Sequence, residues 1–288
     1  MSDECKLPGR KKALLVGVND FKDVSISRLN GCVNDALDIR SILKEFFGFT
    51  NTDIHVLTDT RALKSMIFDR LYSLQHWAQP GDLVVFGFSA HGSQMRDRNG
   101  DELTDHLDEL FCPYDMDWDE GTYILDDEMA QICNGFKAGV QFEVIMDTCH
   151  SATMLKGVNP SPSMKNMTEY HFFKPRYTPP PMDIFMRQEG EESCLAPTKQ
   201  IMRSLTVNDK VLWAACKSNQ TSADAYIGKR YNGAFTHAFC KSIRLAHGVI
   251  TRKSLMGQVR AMLSGAGFDQ IPQLEGTKSL YDKNVFSI

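Results

Sequence analysis

Two stretches of the sequence decide the fold: LVVFGFSAHG at residues 83–92 and FEVIMDTCHS at residues 142–151. Each begins with a short apolar run rich in β-branched and aromatic residues, which is typical of a buried strand in a parallel sheet. The first run leads to His91 and the second to Cys149. Because the carboxyl ends of parallel strands meet at one edge of an open α/β sheet, we expect this imidazole and this thiol to lie close together.

The pair His91 and Cys149 has the chemistry of a base and a nucleophile. An adjacent imidazole helps to convert a weakly ionised thiol into a reactive thiolate. The backbone N–H groups of Gly92 and Cys149 are then candidates for the oxyanion hole that stabilises a tetrahedral intermediate. A lone cysteine is usually a core residue, and a lone histidine in a glycine-flanked loop is usually structural. The joint pattern nevertheless favours a cysteine hydrolase.

Strands and helices alternate along the chain. The strands are predicted at residues 12–18, 53–57, 83–88, 142–146 and 210–215, and the helices at 34–46, 63–74, 126–135, 234–245 and 252–263. This alternation predicts right-handed crossovers, and therefore an α/β fold with a mostly parallel central sheet flanked by helices on both faces.

The pattern also divides the chain into four parts. Residues 1–10 are predicted to form an N-terminal tail, 11–155 a large catalytic region, and 209–288 a smaller region that completes the same sheet. Between them, residues 156–208 contain many prolines, including the run at 179–181, and show little apolar periodicity. Such a stretch is predicted to be an irregular connector, and long loops of this kind are usually functional or mobile.

Composition narrows the class of protein. The chain has 288 residues, 42% of them hydrophobic, and a net charge of −4, which gives no reason to expect nucleic-acid or anionic-membrane binding. No apolar run approaches the ~18–20 residues needed to span a bilayer, and the acidic N-terminus does not resemble a secretory signal. The eight cysteines lack the spacing of a disulfide framework or a zinc site, which predicts free thiols in a reducing cytoplasm.

Several motifs, in order, resemble those of the metacaspases, the caspase-like cysteine peptidases of bacteria, plants, fungi and protists. They are ALLVGVND (13–20), LNGCVNDA (29–36), SAHGSQ (89–94) and DTCHS (147–151), followed by CKSNQTSADA (216–225) and YNGAFTH (231–237), which are similar to the small-subunit part of bacterial members. The resemblance extends to PQLEG at residues 272–276. It implies a caspase-like fold and a cysteine endopeptidase in which His91 and Cys149 are catalytic and no cofactor is required for the chemistry.

The resemblance also implies an acidic substrate pocket that selects arginine or lysine before the scissile bond. The family's pocket residues fall on Asp35 and Asp147, with Ser89 beside them. A carboxylate at the base of a pocket binds a basic side chain through charge-assisted hydrogen bonds. The residues alone leave two other readings open, a helix N-cap for Asp35 and a turn residue for Asp147. The expected partners are peptides or proteins with arginine or lysine at the cleavage site.

Calcium activation is a further implication of the resemblance. The family's calcium site falls on Asp108, Asp126 and Asp127, within an acid-rich stretch that offers the oxygen ligands Ca²⁺ requires. The chain departs from the pattern because Lys156 stands where many calcium-dependent members have a carboxylate. Asp127 is equally suited to the first turn of a helix, where the macrodipole favours an anion. The sequence therefore leaves calcium activation open.

The sequence is compatible with two other functions, and it also offers sites for self-cleavage. A silent scaffold would bind basic peptides through Asp35 and Asp147 without cleaving them. A zinc site would use His91, Cys149 and His150, but adjacent side chains in an extended segment point to opposite faces, which disfavours it. An active enzyme of this specificity would find self-cleavage sites in its own connector, at Lys165, Lys174, Arg176, Arg187, Lys199 and Arg203.

Overall fold

The computed structural model describes residues 9–96, 107–119, 121–149, 173–184, 209–217 and 220–287. Its strands are β1 (Lys11–Gly17), β2 (Ile54–Thr58), β3 (Leu83–Ser89), β4 (Gly92–Arg96), β5 (Leu107–Phe111), β6 (Ile124–Leu125), β7 (Gln141–Asp147), β8 (Phe173–Pro175), β9 (Lys210–Ala214), β10 (Ala223–Ile227), β11 (Arg230–Gly233) and β12 (Gln273–Gly276). Its longer helices are α1 (Cys32–Phe47), α2 (Lys64–Trp77), α3 (Asp126–Asn134), α4 (Ala234–Leu245) and α5 (Arg252–Gly265).

Six strands form the central sheet, in the order β12-β9-β7-β3-β1-β2. All neighbours are parallel except β12, which pairs antiparallel with β9 at the edge. Along β3 and β7 the register is unbroken and ends with Ser89 opposite Asp147. The central sheet is thus mostly parallel, and β9 and β12 from the C-terminal part of the chain extend the sheet begun by β1, β2, β3 and β7.

The sheet is covered on both faces. Side chains of α1, α4 and α5 pack with one face in a core that includes Leu15 and Trp213. Side chains of α2 and α3 pack with the other face around Phe86 and Phe142. Successive residues of β1 from Ala13 to Val16 alternate between these two cores, so this strand is apolar on both faces. This three-layer arrangement confirms the predicted α/β class.

Two small antiparallel sheets lie at the carboxyl edge of the central sheet, and the sequence analysis predicted neither. One, β4-β5-β6, follows His91 directly, where an acid-rich loop was expected. LDELF in β5 places its two acids side by side, so it lacks the apolar and polar alternation that indicates a strand. The other, β11-β10-β8, includes part of the connector that was expected to be irregular. Residues 156–172 and 185–208 of that connector lie outside the described residues.

Helix α1 begins two residues earlier than predicted, at Cys32. The Asn19 side-chain oxygen accepts the Cys32 backbone N–H at 2.9 Å, so a residue far away in sequence satisfies the start of the helix. Among the described residues, no helix combines the length and the apolar character needed to cross a bilayer.

Candidate active site

The sheet register brings His91 and Cys149 to one place. Ser89 and Asp147 are paired at the ends of β3 and β7, and each candidate lies two residues beyond the end of its strand. Both side chains are fully buried. Two neighbouring parallel strands therefore deliver the thiol and the imidazole to the same edge of the sheet.

The His91 ring is held by Ser27 and by one aromatic contact. Its Nε2 lies 2.8 Å from the Ser27 carbonyl oxygen, which can only accept, so Nε2 carries the proton. Nδ1 then carries the lone pair, and it is buried without a hydrogen-bond partner in the described part of the chain. Phe21 packs against the ring at 5.3 Å between centroids. Burial lowers the pKa of His91 to about 4, so the imidazole is a neutral base at pH 7.

The Cys149 thiol has a second thiol as its neighbour. Cys149 Sγ donates to the Gln220 carbonyl oxygen at 2.7 Å, and Cys216 Sγ approaches the same oxygen at 3.3 Å. A hydrogen bond to Cys149, together with burial, raises the pKa of Cys216 well above its ordinary value. Cys216 is therefore the protonated neighbour of the candidate nucleophile.

An arginine of the chain itself fills the acidic pocket. The Arg176 guanidinium is fully buried, with Nη2 at 2.6 Å from Asp35 Oδ2 and 3.1 Å from Asp224 Oδ1. Its Nη1 lies 3.2 Å from Asp147 Oδ1 and donates to Ser89 Oγ at 2.6 Å. The three predicted pocket residues thus surround one guanidinium, together with a third carboxylate.

Groups other than Arg176 also donate hydrogen bonds to the pocket carboxylates. Asp147 accepts hydrogen bonds of 2.6 Å from Ser222 Oγ and from Thr236 Oγ1. Asp35 accepts the Gly233 backbone N–H at 2.9 Å. A Cβ on Gly233 would collide with the Asp147 carboxylate, so only glycine permits this approach. These hydrogen bonds add to those of Arg176 in orienting the two carboxylates.

Asp35 is not a helix N-cap, and Asp147 is not a turn residue. Gly31 is the N-cap of α1 and makes no side-chain cap, whereas Asp35 lies inside the helix with its carboxylate on Arg176. Asp147 is the last residue of β7. Burial, and to a smaller extent Asp147, raise the pKa of Asp35 to about 6 against the opposing effect of Arg176.

Residues 173–178, which we term the cleft segment, cross the site as an added strand. Their first part, β8, pairs antiparallel with β10, and the Arg176 N–H donates to Ser222 O at 2.9 Å. The Gly92 N–H donates to Arg176 O at 3.0 Å, and the Thr178 N–H donates back to Gly92 O at 3.0 Å. Main-chain pairing of this kind is a common way for proteins to bind extended peptides.

The cleft segment places one peptide bond beside the candidate dyad. The Arg176 carbonyl oxygen accepts from Gly92, the glycine expected to contribute to the oxyanion hole. The Arg176 main chain is close enough to the His91 ring to influence its pKa. Burial and the neighbouring Cys149 raise the pKa of Tyr177 to about 12. The bond between Arg176 and Tyr177 therefore lies beside Gly92 and near both candidate residues.

The acids assigned to calcium lie close together. Burial, then repulsion from Glu109, Asp127 and Asp108, raise the pKa of Asp126 to about 8. Among the described residues, no three or more histidine, cysteine, aspartate or glutamate side chains form a group that could hold a metal ion. Lys156 lies outside the described residues, as does His150 of the zinc alternative. The calcium assignment stays a prediction.

Sequence reasoning missed three participants. Asp224 belongs to the CKSNQTSADA motif, and its place in that motif was the signal available. Ser27 acts through its carbonyl group, which leaves no side-chain signature. Arg176 was one of six basic residues considered in the connector, and nothing in its sequence neighbourhood separates it from the other five.

Known proteins resemble this chain in sequence. The sequence profile described as "Metacaspase, peptidase C14 domain" matches residues 11–157. Metacaspase-1 of Pyricularia oryzae is 30% identical over 303 residues, covering 97% of this chain and 75% of its own length. Metacaspase-1A of Aspergillus niger is 30% identical over 292 residues, covering 92% and 70% respectively.

Two solved structures share the fold. Protein GSU0716 of Geobacter sulfurreducens superposes with a TM-score of 0.69 at 22% identity, covering 97% of this chain and 99% of its own. Caspase-1 of Spodoptera frugiperda superposes with a TM-score of 0.53 at 12% identity, covering 94% and 87%. These likenesses confirm the caspase-like fold.

Proposed function

The chain belongs to the metacaspase family of cysteine endopeptidases, and we propose that it cleaves peptide bonds after arginine or lysine. The observation that supports this specificity is the Arg176 guanidinium, which pairs with Asp35, Asp147 and Asp224 in a fully buried pocket. A neutral or acidic side chain there would leave three buried carboxylates without a counter-charge, which is strongly unfavourable. A lysine ammonium supplies the charge with fewer hydrogen bonds, so arginine should be preferred.

In the proposed reaction Cys149 attacks the carbonyl carbon that follows the basic residue. His91 takes the thiol proton at Nδ1 and gives it to the departing amine, while the Gly92 N–H stabilises the oxyanion. Water then hydrolyses the thioester. Ser27 is a positioning residue, because its carbonyl holds the tautomer that leaves Nδ1 available.

Self-processing at the bond between Arg176 and Tyr177 is part of the proposal. Among the connector's described basic residues, Lys174 donates to the Arg28 carbonyl at 3.1 Å and is exposed, whereas Arg176 is in the pocket. Holding a bond in reactive geometry within one chain replaces a bimolecular encounter and favours its cleavage.

Calcium activation and a cytoplasmic location complete the proposal. The repulsion among the acids around Asp126 supports the first, since a bound cation would relieve it. The second is supported by the described cysteines, none of which forms a disulfide: Cys32, Cys112, Cys133, Cys149, Cys216 and Cys240.

The experiment is an assay of the full chain against fluorogenic peptides that differ only in the residue before the reporter. We expect cleavage after arginine and lysine, none after aspartate, and a loss of at least about a thousandfold in Cys149→Ala. Cys133→Ala is the matched control, because Cys133 is a buried thiol of α3 in the core around Phe86 and Phe142. Cleavage after aspartate would contradict the specificity, and full activity in Cys149→Ala would contradict the mechanism.

A further inference from the structure

The cleft segment is held on both sides of the Arg176–Tyr177 bond, and not only at the arginine. Before the bond, β8 pairs with β10, with Phe173 opposite Ala225 and Pro175 opposite Ala223. After it, Tyr177 bridges to Gly92. A substrate that copies these contacts must therefore be extended for several residues in each direction.

The side chains before the bond differ in how much they contact the protein. The Phe173 ring packs edge-on against Phe268, with 6.3 Å between centroids, and Phe268 is itself buried. The next two side chains, Lys174 and Pro175, are exposed. The cleft therefore encloses the first side chain before the bond and packs against the fourth. The two side chains between them are exposed, and Lys174 Nζ donates to the Arg28 carbonyl at 3.1 Å.

After the bond, one side chain of the protein holds the peptide main chain. Ser93 Oγ donates to the Thr178 carbonyl oxygen at 2.6 Å, and both residues are buried. Ser93 follows Gly92, so the same strand, β4, supplies the oxyanion donor and this second contact. A peptide that ends at the scissile bond would leave the buried hydroxyl without this acceptor, which costs binding free energy.

Building on the proposed function, we infer that the preferred substrates are extended peptides with an aromatic residue at the fourth position before the cleaved bond, arginine directly before it, and at least two residues after it. Phe268 and Ser93 are the determinants of this preference, Phe268 through the aromatic contact and Ser93 through the main chain beyond the bond. Neither residue takes part in the chemical step, so substituting either one should change the preference among substrates.

The Ser93 test compares two peptides on the same enzyme. One carries Phe-Lys-Pro-Arg followed directly by an aminocoumarin, and the other is an internally quenched copy of residues 173–180. In Ser93→Ala, kcat/KM for the quenched peptide should fall about threefold to tenfold relative to the coumarin peptide. The ratio cancels any competition from the cleft segment, because that competition affects both peptides equally. Ser73→Ala is the control, since Ser73 is exposed on α2 and should leave the ratio unchanged.

The Phe268 test compares Phe-Lys-Pro-Arg-coumarin with Ala-Lys-Pro-Arg-coumarin. The intact chain should prefer the first about twofold to tenfold, and Phe268→Ala should remove the preference. Phe268→Leu keeps an apolar side chain in the core and loses only the ring, so it gives the same readout if the alanine variant is unstable. Phe68→Ala, on α2, is the control and should keep the preference.

The outcomes distinguish the extended-substrate inference from the proposed arginine specificity. An unchanged ratio in Ser93→Ala, or equal cleavage of the two coumarin peptides by the intact chain, would overturn the extended-substrate inference and leave arginine specificity standing. Failure to cleave any arginine peptide would overturn both.

Discussion

Asp224 changes the electrostatics of the pocket at the scale of a single residue. With Asp35 and Asp147 it gives three carboxylates around one guanidinium, so the pocket carries an excess of negative charge even when occupied. The second oxygen of Asp224 accepts the Asn30 N–H at 2.8 Å, which fixes its orientation. Residues from three parts of the chain thus converge on one cation.

Neutralising one carboxylate should weaken the discrimination by charge. In Asp147→Asn or Asp224→Asn, we expect kcat/KM for an arginine peptide to fall about tenfold to a hundredfold, the scale of one hydrogen bond to a charged group. A citrulline peptide, which is nearly isosteric but uncharged, should be affected much less. Asp69→Asn is the control, because Asp69 is exposed on α2. An unchanged ratio between arginine and citrulline would contradict the assignment of the pocket.

The sequence predicts the site residues best where a chemically reactive side chain follows the end of an apolar strand. The apolar runs of β3 and β7 were enough to predict that His91 and Cys149 share an edge, and the family motifs indicated Asp35, Asp147 and Ser89. Ser27 could not be predicted, because it contributes a backbone carbonyl whose position depends on the folded loop. Asp224 lies in a recognised motif, but the motif does not indicate that its side chain points into the pocket.

At the scale of elements, the difference between sequence and structure lies in short strands. β8 is three residues long and ends in proline, so it has no periodic signal and its pairing depends on β10, far along the chain. The hairpin of β4 and β5 likewise lies in a stretch whose acids obscure the apolar positions. Long, buried, parallel strands were predictable, whereas strands that depend on a distant partner were not.

The acids of β5 and α3 provide the test of calcium activation. Calorimetry should detect Ca²⁺ binding that Asp126→Ala with Asp127→Ala abolishes and Asp119→Ala preserves, and a chelator should slow peptide cleavage. Because the pKa of Asp126 is raised to about 8, the carboxyl must lose a proton to bind the cation. Apparent affinity should therefore increase from pH 7 to pH 9. Full activity in excess chelator, with no heat of binding, would remove calcium from the account.

At the scale of the whole molecule, one buried ion pair joins the N-terminal and C-terminal parts of the sheet. Glu143 of β7 accepts from Arg252 Nη2 of α5 at 2.5 Å, from Trp213 Nε1 of β9 at 2.9 Å and from the Phe286 N–H at 2.8 Å. Glu143 and the Arg252 side chain are fully buried. These contacts tie β7 to β9, α5 and the C-terminal residues.

Removing one partner of this pair should destabilise the entire fold. In Arg252→Met we expect the free energy of unfolding to fall by about 3–5 kcal/mol, because the Glu143 charge stays buried without its counter-ion. Arg244→Met is the matched control; its contact with Asp38 is half-exposed, so the loss should be at most about 1 kcal/mol. Urea denaturation should show a single transition for both. Two separate transitions would mean that the two parts of the chain fold independently.

The central claim is that Cys149 cleaves after a basic residue held by the acidic pocket, and intact mass spectrometry of the incubated chain tests it most directly. The account predicts that the wild-type chain yields two fragments divided between Arg176 and Tyr177, whereas Cys149→Ala stays whole and Arg176→Gln is not cut at this bond. The account would be contradicted by an equal cut in Cys149→Ala, or by a wild-type chain that is cut after acidic residues while the Arg176–Tyr177 bond stays intact.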